Sequence, residues 1–271
     1  MRARLIAAAL PLALACAVAP SFAAADNHDA TVQILHGVPG LTVDVYANGD
    51  SLLTNFAPGT LTDPVKLPAG EYDLKVTAAG AGADGAAAIE ANDVAVPGGA
   101  NITVVAHLNA DGTPVLTPFV NDVSATAAGE GRLTVRHTAA APAVDVRANG
   151  AVAFSNLTNP NEAKADLPAG TISADVVLTG TDTVAIGPAD VNVTEGANTI
   201  VYAWGSAADS NLGLAVQVLD GLHSAPGGVP GGTGGQAAAA QSGTGTAAVT
   251  LAALLTLGTG LAVVRRRAVT N

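Results

Sequence analysis

The sequence predicts an all-β protein: two tandem antiparallel β-sandwich domains of immunoglobulin-like kind, preceded by a signal peptide and followed by one transmembrane helix. Three observations predict it. The middle of the chain is duplicated, each copy alternates apolar and polar residues with a period of two, and turn signals recur at short intervals.

The duplication is legible residue by residue. Ile34-Leu35-His36, then Val43-Asp44-Val45-Tyr46-Ala47-Asn48-Gly49, returns as Val135-Arg136-His137, then Val144-Asp145-Val146-Arg147-Ala148-Asn149-Gly150. Leu67-Pro68-Ala69-Gly70 returns as Leu167-Pro168-Ala169-Gly170, and Gly99-Ala100-Asn101 as Gly196-Ala197-Asn198. Order is kept while the offset drifts slightly, as small loop insertions produce. The domains are expected at 29–123 and 131–222, joined by a small-residue linker at 124–130. A period of about 100 residues exceeds that of solenoid repeats and suits a sandwich domain.

Each element of the first copy follows from local chemistry. Glu71-Tyr72-Asp73-Leu74-Lys75-Val76-Thr77 alternates strictly, so Tyr72, Leu74 and Val76 share the buried face. Asn48-Gly49 tolerates the positive φ of a type I′ hairpin turn. Pro68-Ala69-Gly70 and Pro97-Gly98-Gly99 punctuate further turns. Strands are expected at 31–36, 41–47, 51–56, 63–67, 71–78, 88–96, 101–108 and 114–120. The Cys…Trp…Cys hallmark of true immunoglobulin domains is absent, because the chain has one cysteine.

The two ends read as export and anchoring signals. Arg2 and Arg4 precede an apolar run from Leu5 to Ala19 and small residues at Ala23-Ala24-Ala25, which predicts a cleaved signal peptide over 1–25. Cys16 makes a weak lipoprotein-like box, with Ala13 where a large aliphatic residue is usual. At the other end, 247–264 is 18 residues without a charge, about 27 Å as a helix, and Arg265-Arg266-Arg267 opens the basic tail 265–271. The arginines on one flank predict a single-pass helix in the cell membrane with its C-terminus cytoplasmic and the duplicated part extracellular. The Gly/Pro/Ala-rich tract 223–246 reads as a stalk. Val229-Pro230-Gly231-Gly232-Thr233-Gly234 within it weakly resembles a sortase signal, an alternative attachment.

Charge narrows the partners. The segment from Asp26 to Asp220 holds all 22 acidic residues and six of the 11 basic ones, a balance of −16 against −11 for the whole chain. Such a surface disfavours nucleic acid and anionic lipid as partners, and no nucleic-acid partner is expected.

A first strand ending in His36, a loop with Pro39, then Val43-Asp44-Val45, Asn48-Gly49 and Leu67-Pro68-Ala69-Gly70 resembles the bacterial envelope family catalogued as domain of unknown function 4397. The second copy carries the equivalents but moves the loop proline to Pro142. The resemblance implies exported, often tandem β-domains and no established activity.

The repeated pairs His36 with Asp44 and His137 with Asp145 are the candidate motif residues. Strand parity puts each histidine on the apolar, inward face and each aspartate on the opposite one, so a catalytic dyad would need a bulge. The favoured role is structural: histidine closing the end of the core, aspartate capping loop N–H groups. No Ser or Cys nucleophile is spaced to them, and no three His or Cys stand at zinc spacing. His107 aligns with Trp204, which favours packing over ligation. Asp111-Gly112 and Asp209-Ser210-Asn211 read as turns before calcium ligands, and no glycine-rich phosphate loop is present. No cofactor is implied and no catalytic residue is assigned. The expected function is a non-enzymatic surface module with a structural or binding role toward a surface protein or a glycan. The alternatives are a hydrolase of wall polymer and an accessory subunit of an envelope sensor.

Overall fold

The computed structural model describes residues 28–224. The expected signal peptide, transmembrane helix and basic tail, and all of the stalk after Ser224, lie outside the described residues. Among the described residues no helix is long and apolar enough to cross a membrane.

The described residues form sixteen strands. The first eight are β1 (Ala30–His36), β2 (Val43–Ala47), β3 (Asp50–Phe56), β4 (Val65–Leu67), β5 (Gly70–Ala78), β6 (Ala87–Val96), β7 (Asn101–Leu108) and β8 (Pro114–Val120). They form two four-stranded sheets, β4-β1-β7-β8 and β3-β2-β5-β6. The next eight are β9 (Glu130–Ala140), β10 (Val144–Ala148), β11 (Ala151–Leu157), β12 (Glu162–Pro168), β13 (Gly170–Leu178), β14 (Val184–Val193), β15 (Asn198–Ser206) and β16 (Gly213–Leu219). Their sheets, β12-β9-β15-β16 and β11-β10-β13-β14, repeat the first pair strand for strand.

The sandwich architecture is the expected one, but the strand order is not the immunoglobulin order. There the first two strands share a sheet. Here β1 and β2 lie in opposite sheets, and β1 pairs with β7 in parallel. The loop from Gly37 to Thr42 carries the chain across from one sheet to the other.

Local signals set the hairpins. Asn48 and Gly49 have φ of 52° and 86°, and Asn149 and Gly150 have 51° and 81°, the double positive φ that a type I′ turn requires. Each sandwich has its own core. Val32, Ile34, Val45, Leu74, Val76, Ile102 and Val104 build the first; Leu133, Val135, Val146, Val176, Val191 and Val201 build the second.

A third apolar cluster joins the two. Leu35, Val105 and Phe119 of the first sandwich pack against Ile200 and Tyr202 of the second. β7 and β15 are therefore buried on both faces. Ile102, Val104 and Ala106 enter the first core, while Val105 turns to the other sandwich. Val201 enters the second core, while Ile200 and Tyr202 turn to the first.

Most polar groups in the same seam are paired, while Asn159 Oδ1 and Trp204 Nε1 are buried without a hydrogen-bond partner among the described residues. Gln217 Nε2 donates to Gln33 Oε1 at 2.6 Å, and Thr103 Oγ1 donates to Gln217 Oε1 at 3.0 Å. Asn159 Nδ2 donates to the Leu108 carbonyl at 2.8 Å. The linker is tied down as well: the Thr126 N–H donates to the Leu222 carbonyl at 2.8 Å, and Arg132 pairs with Asp122 at 2.9 Å. Hydrogen bonding by Lys164 and Ser124 holds the Asp122 carboxyl well below the usual carboxylate range.

Trp204 fills the seam beside two glycines. A Cβ on Gly59 or on Gly213 would stand 2.8 Å from Trp204 Cζ2. Gly59 also has φ of +77°, which a side chain strains. Gly59→Ala is expected to cost about 2–4 kcal/mol, from the left-handed backbone and the overpacked contact together. A urea unfolding midpoint indistinguishable from wild type would contradict this packing.

Candidate functional site

The repeated histidines lie at the crossing between sheets. His36 and His137 are both about 1% exposed. His36 Nε2 lies 2.8 Å from the Leu41 carbonyl, so Nε2 carries the proton, and Nδ1 faces the Val38 N–H at 3.4 Å. His137 repeats this with the Pro142 carbonyl at 3.0 Å and the Ala139 N–H at 3.4 Å. Each imidazole thus braces the loop that leads to the next strand. Burial lowers both pKa values, opposed by the hydrogen bond to the loop carbonyl.

The repeated aspartates bind backbone elsewhere. Asp44 Oδ1 accepts from the Asn55 N–H and Oδ2 from the Gly80 N–H, both at 2.8 Å. Asp145 accepts from the Asn156 N–H at 2.7 Å and the Gly180 N–H at 3.1 Å, with the Thr179 hydroxyl also at 3.1 Å. The backbone bonds from Asn156 and Gly180 lower the Asp145 pKa. The four recipient residues all have positive φ, so each carboxylate fixes a bulge and a turn. His36 instead faces the first core, its ring 5.6 Å from Phe56. The structure therefore does not bring histidine and aspartate together as a dyad.

Asparagine at position 44 would keep one acceptor and turn an amide N–H toward the other N–H. Asp44→Asn is expected to cost about 1.5–3 kcal/mol, the scale of a hydrogen bond to a charged group. Equilibrium unfolding of the variant checks this, and an unchanged midpoint would remove the capping role.

A third histidine is also internal, whereas His28 and His223 are exposed. His107 is fully buried, with Nδ1 2.9 Å from the Leu108 carbonyl and Nε2 2.8 Å from the Thr117 hydroxyl. Among the described residues no group of three or more His, Cys, Asp or Glu is placed to hold a metal ion.

A different constellation is open to solvent. On the outer sheet of the first sandwich a groove of about 400 Å³ is lined by Tyr46, Asn48, Asp73, Lys75, Glu90 and Asn92. Lys75 stands opposite Tyr46 on β2 and Glu90 on β6. Its ammonium donates once, to the Ala83 carbonyl at 2.7 Å, leaving two N–H groups for a ligand. The wall that carries Ala83 belongs to a longer loop. Ile89 follows Gly80 by nine residues, whereas Ile186 follows Gly180 by six.

The second sandwich closes the equivalent place. Arg147 stands where Tyr46 does, and Asp175 where Lys75 does. The guanidinium grips Asp175 through both oxygens, at 2.8 and 2.5 Å, and reaches Asp182 at 3.1 Å. These bonds lower the Asp175 pKa and raise that of Arg147. Donors and acceptors satisfy one another there, while in the first sandwich Asn48 Oδ1 and Asp73 Oδ1 accept the Asp73 and Asp93 N–H groups and the side chains form no ion pair among the described residues.

Residues 30–147 match the family model described as Domain of unknown function (DUF4397). One DUF4397 domain is detected, and the second copy is not. The match spans the whole first sandwich, β9 and most of β10. The second sandwich keeps the strand order while its sequence departs at Arg147, Trp204 and the shortened loop. Among curated proteins none matches the chain.

The groove escapes motif reading because its residues come from three strands and a loop. One signal pointed toward it. In the repeated Val-Asp-Val-X-Ala-Asn-Gly, the single divergent position is Tyr46 against Arg147.

Proposed function

We propose that this chain is a membrane-anchored cell-surface protein whose paired sandwiches act as a non-enzymatic binding module, with the ligand seated in the groove of the first sandwich. The open groove, set against its ion-paired counterpart in the second copy, carries the binding reading. One ammonium, one phenol, two amides and two carboxylates make a mixed donor and acceptor set that suits the hydroxyls of a glycan. The acidic balance of the segment suits a neutral or amino sugar over an anionic one. Display rests on the sequence: the signal peptide over 1–25, the uncharged stretch 247–264 and the three arginines after it. The second sandwich is read as a diverged copy of the same family.

The test uses the full chain, immobilised and probed with neutral and amino-sugar oligosaccharides. Lys75→Met is expected to weaken binding about tenfold, the loss of roughly 1.4 kcal/mol. Arg147→Met should leave it unchanged. No binding to any of the sugars, or binding indifferent to Lys75→Met, overturns the glycan reading. Protease added to intact cells tests display separately: the duplicated segment should be cut without lysis.

A further inference from the structure

Among the described residues four sheets present eight edge strands, and each edge exposes backbone N–H and C=O groups that a foreign strand can pair. Seven of the eight are blunted. β4 is three residues long and carries Lys66. β8 carries Pro114 and Pro118. β12 carries Glu162, Lys164 and Asp166. β3, β6, β11 and β14 are each broken by register shifts against their partners, and β14 holds Pro188 as well.

β16 has none of these devices. Gly213–Leu219 holds no charge and no proline, and it pairs with β15 without a shift from Leu219 to Gly213. Val216 and Val218 lie on one side of it, 53% and 46% exposed. The duplication supplies the comparison. Pro118 faces Val104 in the first sandwich, where Val216 faces Val201 in the second. A protected edge in one copy is an open one in the other.

We propose that β16 is a self-association edge, where a second copy of this chain adds its own β16 antiparallel across a two-fold axis. The acidic balance of the segment makes copies repel over most of their surface, and the uncharged strand is where that repulsion is least. A second copy is also the occupant for which the structure supplies both sides. Antiparallel pairing sets outward N–H groups against outward C=O groups, and the register that places Val216 beside Val218 of the partner keeps all four valines on one face. A single added strand of seven residues is a small interface, so the dimer is weak and concentration-dependent.

Sedimentation equilibrium of the full chain in mild detergent tests this, because Val216 and Val218 are exposed enough to accept lysine without unfolding. Wild type is expected to shift from monomer to dimer across the micromolar range. Val216→Lys and Val218→Lys are expected to hold it monomeric at an unchanged melting temperature. Val152→Lys, at an exposed valine on the interrupted edge β11, is expected to leave the dimer intact. A wild type still monomeric at about 100 μM overturns the proposal. So does a dimer that survives both β16 lysines, or one that Val152→Lys also dissolves.

Discussion

Arg136→Met is expected to destabilise the protein by about 3 kcal/mol, the lower end of the range for breaking a buried ion pair. The guanidinium is about 1% exposed and sits in the seam between the sandwiches. Its Nε donates to Glu162 Oε2 at 2.8 Å and its Nη1 to the Tyr202 hydroxyl at 2.7 Å. Its Cζ lies 4.4 Å from the centre of the Phe119 ring, a contact that reaches into the first sandwich. Methionine would fill much of the volume but leave Glu162 and Tyr202 each short of a donor. The lower end applies because Glu162 is partly exposed and water can take up some of its loss. In a chain of this size that energy lowers the melting temperature by roughly 6–12 °C. Arg136→Lys should recover little, since a single ammonium cannot serve carboxylate, phenol and ring together. A shift of less than about 1 kcal/mol would mean that the seam contributes little to stability.

The second large effect is a loss of stability on mild acidification. His36, His107 and His137 are buried and neutral, and burial lowers each pKa below its ordinary value; the neighbouring His137 adds to the effect at His107. The unfolded chain takes up protons at these positions near pH 6.5 while the folded chain does not. Stability is therefore fully present above about pH 6.5 and declines as pH falls toward the folded-state values. The ceiling is about 1.4 kcal/mol per pH unit for each histidine that stays neutral. A further decline belongs below the ordinary carboxylate range, where Asp122, Asp145 and Asp175 lose their partners on protonation. Melting temperatures measured between pH 7.5 and 5 check the first window, whose upper edge is about pH 6.5. A flat profile there would contradict the burial of the histidines. His107→Gln should flatten the slope in part, even where it lowers stability overall.

Much of the fold was legible because short antiparallel strands are local objects. The alternation from Glu71 to Thr77 placed Leu74 and Val76 in the core, and Asn48-Gly49 marked its hairpin by φ alone. The eight expected strands of the first copy fall within two residues of those observed. The repeated aspartates and histidines were likewise legible as positions on opposite faces. Their partners were not, because Asp44 reaches residues 11 and 36 positions away along the chain.

By itself, the sequence determined the duplication, the period-two strands, the turns and the acidic surface, since each depends on residues near one another along the chain. The tertiary structure alone decided the strand order, the seam and the groove. Sheet order depends on which sheet each crossing loop leads to, and alternation within a strand carries no record of that choice. The seam was visible only as an unexplained richness: Ile200 to Trp204 is apolar on both faces. A strand reads that way when each face has a layer against it, and only the packed pair supplies the second layer.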